Sequence, residues 1–435
     1  MFRETFCSSP WFHLRILPNG NYNVCRWANN KQVTKNIANT SLMEFYNGEE
    51  MADLRLQLLN GESPDICKSC HYQDSHEKLS GRKKQLLKSG ITDDDFEVKT
   101  RCSPHYDYFK YSYQNNGKSK YHPTDLQIDL GNTCNSACIM CSPQYSSRLE
   151  QEYKLLSSKN NELFKEYNLS KDWTRDQKLI DKFIKELTEL PNIKYIHFIG
   201  GETLYMKSFY QICDALIENN LANQLIIGTT TNATIYNDKI EKYIKTFKQF
   251  HLGISIETVT PLNDYIRYPS KIKNVLENIK KYNKLEDKKF FKSLRITPNI
   301  FTIWEFDLLA EYMIENNITA ESCDILKYPS MLRMELMPDD IRHEIIDKFQ
   351  KTINKFNLIK NNNIVNIRNK EYTKQVTANN IIEYYDFIKN YEKPENIESE
   401  RYKLVKFLKA FESLRDNKII DYAPRYTKFL TNYGY

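Results

Sequence analysis

From residue 126 onward, the chain alternates short strand-like apolar runs with longer helix-like segments. The strand-like runs cover residues 126–130, 194–199, 224–230, 251–256, 293–298 and 320–326. The helical patterns that follow begin near Tyr145, Leu204, Ile235, Leu262, Ile303 and Asp339. This rhythm is typical of βα units around a parallel sheet, so it predicts an α/β fold. In barrels of such units, functional groups gather at the carboxyl ends of the strands.

Three cysteines follow the first predicted strand. Cys134, Cys138 and Cys141 have the spacing CxxxCxxC. Thiolates at this density suit zinc or an iron–sulfur cluster. The triplet cannot supply a fourth thiolate of its own, so a cluster held here would leave one iron open to another ligand.

The end of the second strand carries Gly200, Gly201 and Glu202. Two glycines let the backbone pass close to a ligand, and a carboxylate can accept hydrogen bonds from an ammonium group. Taken by itself, the tripeptide is also compatible with a purely structural turn.

Polar residues also end the third and fourth strands. Asn232 and Ser255 offer an amide and a hydroxyl that suit a ribose or a carboxylate, and Glu257 is either a ligand contact or a surface group. Arg267 follows the fourth strand, and its guanidinium can fork onto a carboxylate. The alternative for Arg267 is an ordinary surface ion pair on a helix.

Four further cysteines lie near the amino terminus. Residues 13–17 and 21–25 are predicted to form two strands, which Asn19-Gly20 joins in a hairpin. Ser41 and Glu44 predict a capping box at the start of a helix that runs to about residue 59. The hairpin and a later CxxC turn deliver the cysteines Cys7, Cys25, Cys67 and Cys70. Such a set holds structural zinc or an iron–sulfur cluster.

The central triplet and the Gly-Gly-Glu sequence together resemble the signature of the radical S-adenosylmethionine (SAM) superfamily. The resemblance implies a partial (β/α)6 barrel similar to a TIM barrel. It also implies a [4Fe–4S] cluster on Cys134, Cys138 and Cys141, whose open iron binds the amino and carboxylate groups of SAM.

The same resemblance implies further contacts with SAM. The set Gly200, Gly201 and Glu202 would hold the amino group, and Arg267 the carboxylate. Asn232 and Ser255 would contact the ribose or the carboxylate. Met140 stands where the family usually has an aromatic residue against the adenine, and a thioether can also pack on a ring.

The amino-terminal cysteines resemble the twitch domain, the shortened form of the SPASM domain that carries one auxiliary [4Fe–4S] cluster in many radical SAM enzymes. In the family this domain usually follows the barrel, whereas here it precedes the barrel. The further CxxxxxCxxxC run of a full SPASM domain is absent from the sequence. We therefore expect one auxiliary cluster and not two.

By this resemblance the chain is expected to be a radical SAM enzyme. Such an enzyme cleaves SAM reductively to a 5′-deoxyadenosyl radical, which abstracts hydrogen from the substrate. Twitch enzymes act on peptides and on small molecules, and we favour oxidation or crosslinking of a peptide or protein. An electron donor such as flavodoxin or ferredoxin is the implied partner. The alternatives are a radical SAM enzyme for a small molecule or RNA, and a non-enzymatic binding protein clamped by two zinc sites.

Composition limits the remaining classes. At 435 residues and 40% hydrophobic content, the chain can form one large domain with one or two smaller ones. No apolar run approaches the roughly 20 residues of a membrane helix, and the start lacks a signal-peptide pattern. We therefore expect a cytoplasmic protein without a membrane partner. A net charge of +6 neither favours nor excludes nucleic acid.

Four regions are expected along the chain. Residues 1–73 would form the auxiliary cluster domain, residues 74–124 a connector, residues 125–337 the barrel and residues 338–435 a helical extension. Helices are predicted at 378–391 and 400–414, and the extension is expected to cover the barrel or shape its opening.

Three cysteines belong to neither set. Cys213 lies on the apolar face of a predicted helix, where core burial is expected. Cys323 lies in the sixth predicted strand, either packed or facing into the barrel as a catalytic thiol. Cys102 has no assigned role.

Overall fold

The computed structural model describes residues 5–29, 34–75, 80–91, 105–159, 163–164, 172–323, 325–356 and 370–435. Within them, one sheet contains the strands β1 (His13–Ile16), β2 (Tyr22–Asn23), β3 (Asp125–Asp129), β4 (Tyr195–Ile199), β5 (Ile226–Thr231), β6 (Gln249–Ser255), β7 (Phe290–Ile296) and β8 (Thr319–Cys323). Their order across the sheet is β2-β1-β3-β4-β5-β6-β7-β8. In this part of the chain β2 and β8 do not pair with each other, so the barrel is open.

Helices connect and cover the strands. Those before the first barrel strand are α1 (Ser9–Phe12), α2 (Leu42–Tyr46), α3 (Glu49–Leu59), α4 (Lys68–Ser75), α5 (Gly81–Ser89) and α6 (Tyr106–Gln114). Those between the barrel strands are α7 (Ser147–Ser158), α8 (Gln177–Thr188), α9 (Lys207–Glu218), α10 (Lys239–Thr246), α11 (Leu262–Ile266), α12 (Ile272–Lys284) and α13 (Phe306–Glu315). Those after the last strand are α14 (Asp339–Phe356), α15 (Lys370–Asn390), α16 (Ile397–Glu412), α17 (Ile419–Tyr422) and α18 (Thr427–Asn432).

The six predicted barrel strands are confirmed. Strands β3 to β8 run parallel, and their ends differ from the predicted ends by no more than three residues. In β4, Ile196 and Phe198 are buried, and Phe198 lies 5.3 Å from the ring of Phe209 in α9. The helices therefore cover this face of the sheet. Tyr195 and His197 alternate with the buried pair and face the inside of the barrel.

The predicted amino-terminal hairpin is also present, but it is not separate from the barrel. β1 pairs antiparallel with β2 and parallel with β3, and Leu14 lies opposite Leu126. Both leucines are fully buried. The edge of β3 would otherwise leave backbone groups unpaired, and β1 satisfies them. The proposed domain boundary near residue 73 thus falls between two parts of one sheet.

The predicted helix from Ser41 to about residue 59 is two helices, α2 and α3. Its start is as expected, because Ser41 and Glu44 form a capping box. Asn47 ends α2 and Gly48 precedes α3, and both residue types favour helix ends over helix interiors. The helical segment that begins near Tyr145 is long enough to predict two helices with a break around Asn168, and this position lies outside the described residues.

The helical extension is confirmed by α14 to α18. Phe411 of α16 lies 6.1 Å from the ring of Tyr153 in α7 and 5.4 Å from that of Phe164. The extension therefore packs against the first barrel helix. In the part of the chain that is described, no helix combines the length and the apolar character that crossing a membrane requires.

Candidate active site

The cysteine loop begins at a backbone position that suits glycine. Gly131 follows β3 with a φ of +106°, and a Cβ there would lie 2.0 Å from Oδ1 of Asp172. Oδ2 of Asp172 accepts a hydrogen bond from the N–H of Asn132 at 3.2 Å. The direction in which the loop leaves the strand is therefore fixed. The loop then carries Cys134, Cys138 and Cys141, of which Cys138 is buried and the other two are half-buried.

The Gly-Gly-Glu backbone hydrogen-bonds directly to the cysteine loop. The N–H of Gly201 donates to the carbonyl of Gly131, and the N–H of Glu202 donates to that of Thr133, both at 2.9 Å. A Cβ on Gly201 would lie 2.1 Å from the carbonyl oxygen of Thr133. The glycine that we expected to make room for a ligand makes room for the cysteine loop.

Three donors of the protein hold the Glu202 carboxylate. Oε1 accepts from the N–H of Leu204 at 3.2 Å and from the hydroxyl of Thr231 at 2.6 Å. Oε2 accepts from the N–H of Asn232 at 2.6 Å. Burial raises the pKa of Glu202 to about 6, although these hydrogen bonds oppose the shift.

Asn232 ties the end of β5 to the same loop. Its Nδ2 donates to Oδ1 of Asn135 at 2.9 Å and to the hydroxyl of Ser136 at 3.0 Å. Its Oδ1 accepts from the hydroxyl of Thr234 at 2.7 Å. The side chain that was predicted to contact a ligand thus also holds the residues between Cys134 and Cys138.

Arg267 lies beside Cys138 in a buried ion pair. Its Nη2 is 2.5 Å from Oε1 of Glu257, whose other oxygen accepts from the N–H of Thr297 at 2.7 Å. Its Nη1 is 3.9 Å from the sulfur of Cys138. The alternative of a surface pair is wrong for Arg267, and Glu257 is not a surface group, because their side chains are 14% and 0% exposed.

A positive charge lies beside the buried Cys138 thiol. Burial raises the pKa of the Cys138 thiol, and the positive charge of Arg267 opposes this shift. Among the described residues, Nε of Arg267 is buried without a hydrogen-bond partner. This donor would be available to an anionic group in the site.

Ser255 and Met140 are less closely connected to the other predicted residues. Ser255 ends β6, is half-buried and lies opposite Arg295 of β7. Met140 is half-buried in the cysteine loop and packs against the hydrophobic core. Met140 is thus part of the loop, and Ser255 lies at the carboxyl end of its strand.

The four amino-terminal cysteines line one cavity. Cys7, Cys25, Cys67 and Cys70 surround it, together with Trp27 and Arg82. Burial raises the pKa of all four thiols, that of Cys25 to about 12. Across the described ranges, no three His, Cys, Asp or Glu side chains form a group that could hold a single metal ion. The cysteines are thus arranged around a space, and their thiol chemistry suits an iron–sulfur cluster.

Of the other cysteines, Cys213 is fully buried in α9, as predicted. Cys323 is the last residue of β8, and Cys102 lies outside the described residues.

One residue at the site was not predicted. Arg415, which follows α16, donates from Nη2 to the carbonyl of Ala137 in the cysteine loop at 2.6 Å. It is buried and pairs with Glu152 of α7. No sequence motif marks this arginine, because its contacts are formed only by the tertiary fold.

Two family models match the chain. The Radical SAM superfamily model matches residues 128–313, and SPASM, an iron–sulfur cluster-binding domain, matches residues 7–71. These domains imply [4Fe–4S] clusters and SAM as cofactors. No curated protein matches the sequence significantly.

Solved structures to which this chain shows similarity include Streptococcus suis SuiB bound to S-adenosylmethionine. It is 15% identical over 69% of this chain and 62% of that chain, with a TM-score of 0.31. SuiB bound to the precursor peptide SuiA is 14% identical over 69% and 63%, with a TM-score of 0.33. The protein anSMEcpe with bound AdoMet is 17% identical over 54% and 62%, with a TM-score of 0.35. The chain thus matches less than two thirds of the length of these proteins.

Proposed function

This chain is a radical SAM protein with an amino-terminal SPASM iron–sulfur domain, and from that premise we propose that it is an enzyme that cleaves SAM reductively and oxidises or crosslinks a peptide or protein. The cluster that binds SAM would be held by Cys134, Cys138 and Cys141. With SAM bound, this cluster supplies the 5′-deoxyadenosyl radical that abstracts hydrogen.

The observation that carries the proposal is the contact between the two parts of the motif. The backbone of Gly201 and Glu202 hydrogen-bonds to the loop that contains the cysteines. Residues from neighbouring strands are thus brought together at one end of the barrel, where such folds place their active sites. This arrangement supports a single site for the cluster and SAM.

Side chains of the site are suited to the separate groups of SAM. A carboxylate has about four lone-pair sites, and the protein uses three of those of Glu202, so one remains for the SAM ammonium group. Arg267 is fixed by Glu257 and offers its Nε to the SAM carboxylate. We assign the ribose to Asn232 or Ser255 and the adenine contact to Met140.

The amino-terminal cysteines would hold one auxiliary [4Fe–4S] cluster. Four thiols around one cavity supply a complete ligand set, so Cys7, Cys25, Cys67 and Cys70 need no ligand from the central triplet. We propose that this cluster accepts the substrate electron or holds the substrate near the barrel. An electron donor such as flavodoxin or ferredoxin would reduce the central cluster.

The inner wall of the barrel carries a polar row toward the amino-terminal ends of its strands. Tyr195 and His197 are hydrogen-bonded at 2.9 Å, and the ring of Tyr195 lies 6.3 Å from that of His251 on β6. A Cβ on Gly228 would lie 2.5 Å from the Tyr195 hydroxyl, so this glycine leaves room for the polar row. The row lies away from the cysteine loop, so the proposed peptide substrate rests on the resemblance to twitch enzymes.

Anaerobic reconstitution followed by dithionite and SAM tests the proposal. We expect 5′-deoxyadenosine from the wild type, from Cys7→Ala and from Cys67→Ala, but none from Cys134→Ala. Cys213→Ala is the matched control, because it removes a fully buried thiol from α9 and should leave this product unchanged. The absence of 5′-deoxyadenosine from iron-replete wild-type protein would contradict the proposed activity.

The finer proposal, a peptide substrate, needs a separate measurement. A peptide encoded by a short reading frame beside the gene would be incubated with the reconstituted enzyme, SAM and dithionite. Mass spectrometry should detect the loss of two hydrogen atoms for each crosslink or oxidation. An active enzyme that leaves such peptides unmodified but modifies a small molecule or RNA would refute the peptide assignment.

A further inference from the structure

The carboxy-terminal extension contacts the cysteine loop through Arg415. The Ala137 carbonyl that accepts its hydrogen bond lies immediately before Cys138, 278 positions away in the chain. The guanidinium is almost completely enclosed, because the side chain of Arg415 is 1% exposed. A buried carbonyl of the loop is thus satisfied by a charged donor from a distant segment.

Arg415 is itself held from several sides. Its Nε lies 3.2 Å from Oε1 of Glu152, and Nη2, which also donates to Ala137, completes the ion pair with Oε2. Its guanidinium lies 4.7 Å from the ring centre of Tyr268 and 4.5 Å from that of Phe411. A planar guanidinium between two rings and a carboxylate has little freedom to reorient.

The same end of the extension also holds α11, the helix that precedes Arg267. Oε1 of Glu412 accepts a hydrogen bond from the hydroxyl of Tyr265 at 2.9 Å. The α11 segment in turn pairs with the cysteine loop, because Ala137 donates to the carbonyl of Tyr268 at 2.6 Å and Ile139 donates to that of Ile266 at 3.0 Å. The extension, α11 and the loop are therefore one connected unit.

We propose that Arg415 is a positioning residue for the cysteine loop. Its side chain holds residues 137–141 in place and sets a fixed positive charge beside Cys138. Nη1 of Arg267 lies 3.9 Å from the Cys138 sulfur, and Nη2 of Arg415 binds the carbonyl of the residue before Cys138. A fixed positive charge also favours a bound cluster after it has gained an electron. The extension would thus act on a cluster through the loop that holds it.

Hydrogen exchange of the anaerobically reconstituted protein tests this role. In Arg415→Met, we expect the amides of Ala137 and Ile139 to exchange on the order of tenfold faster, because a charged hydrogen bond to the loop is lost. The strands β5 and β6 should keep their protection, which shows that the fold is intact. The reduction potential of the central cluster, measured by spectroscopic titration, should become more negative.

Arg425→Met is the matched control within the same extension. Arg425 also pairs with a carboxylate, Glu344, and lies 3.6 Å from the ring centre of Trp304. It should change neither the exchange of the loop nor the potential. Equal acceleration by Arg425→Met and Arg415→Met would overturn the proposal, and so would unchanged exchange in Arg415→Met.

Arg415→Lys separates the effect of the hydrogen-bond geometry from the effect of the positive charge. It also tests the positioning role if Arg415→Met does not fold. Lysine keeps the charge but cannot fork between Ala137 and Glu152. We expect faster exchange of the loop with a potential near that of the wild type, and unchanged exchange would refute the positioning role. The measurement of the reduction potential requires the proposed cluster, whereas the measurement of hydrogen exchange in the loop does not. If no cluster forms on the central cysteines, the proposed function fails while the exchange of the isolated protein still tests Arg415.

Discussion

Arg15 and Asp129 form a buried ion pair that joins β1 of the amino-terminal hairpin to β3 of the barrel, with Nη2 and Oδ2 2.5 Å apart. Arg15 also donates to the carbonyl of Arg26 at 3.5 Å and to the hydroxyl of Tyr145 at 3.2 Å. Arg26 follows Cys25, and Tyr145 lies four residues after Cys141. One guanidinium therefore contacts the segments beside both sets of cysteines.

Arg15→Met should destabilise the protein strongly. The substitution leaves Asp129, whose side chain is 0% exposed, as an unpaired buried charge, which typically costs about 3–5 kcal/mol. The midpoint of urea unfolding under anaerobic conditions measures this change. Lys393→Met is the control, because the pair of Lys393 with Asp339 is largely exposed and should contribute at most about 1 kcal/mol. Similar midpoints for the two variants would contradict the structural role of Arg15.

Gly201→Ala should prevent iron binding at the central cysteines. The new Cβ would collide with the carbonyl of Thr133 in the cysteine loop. This carbonyl is part of the backbone, so the loop itself must move. Iron analysis and visible absorbance after reconstitution measure the loss. Gly434→Ala is the control, because a Cβ there meets no atom within 4 Å and only the backbone conformation is strained. Normal iron content in Gly201→Ala would show that the loop tolerates the displacement.

Glu202 should give the stability of the protein a particular pH dependence. Its pKa in the fold is about 6, above the ordinary value of 4.5, because burial disfavours the charged form. The contribution of Glu202 is therefore fully present below pH 4.5 and is lost as the pH rises through 6. The loss amounts to about 2 kcal/mol. Glu202→Gln removes this dependence. Between pH 5 and 7, the urea midpoint plotted against pH should therefore have different slopes for the wild type and for Glu202→Gln. Parallel pH profiles would refute the raised pKa.

The two sets of cysteines should bind iron independently. We expect about eight iron atoms per chain in the reconstituted wild type, and about four in Cys67→Ala or in Cys134→Ala, since each set would hold one four-iron cluster. Iron and sulfide analysis measures the content, and zinc analysis tests the alternative metal. Cys213→Ala should retain the wild-type content. A single zinc ion with no iron in Cys134→Ala would contradict an auxiliary iron–sulfur cluster.

Local pattern was enough to predict the barrel and the central motif. The strand-like run at 194–199 predicted β4, where Ile196 and Phe198 are buried and Tyr195 and His197 face inward. The spacing of the cysteines, followed by Gly-Gly-Glu one βα unit later, indicated the site because both features lie at strand ends. These signals each lie within a short stretch of sequence, so they can be recognised without knowledge of the tertiary fold.

Long-range contacts could not be predicted in the same way. Nothing in the four residues of β1 indicates that they pair with β3, and nothing near Arg415 indicates a contact with Ala137. The role of Gly201 could not be predicted either, because a glycine in the sequence shows only that another group can approach the backbone closely. The partner in that approach, Thr133, is defined by the sheet.

The pairing of β1 with β3 limits how modular the amino-terminal segment can be. The segment that carries Cys7 and Cys25 completes its strand ladder only on the edge of the barrel, and its buried Leu14 packs beside Leu126. Transplanted to another protein, it would need a host strand of the same direction and register. The auxiliary segment is therefore exchangeable only together with the barrel strand beside it.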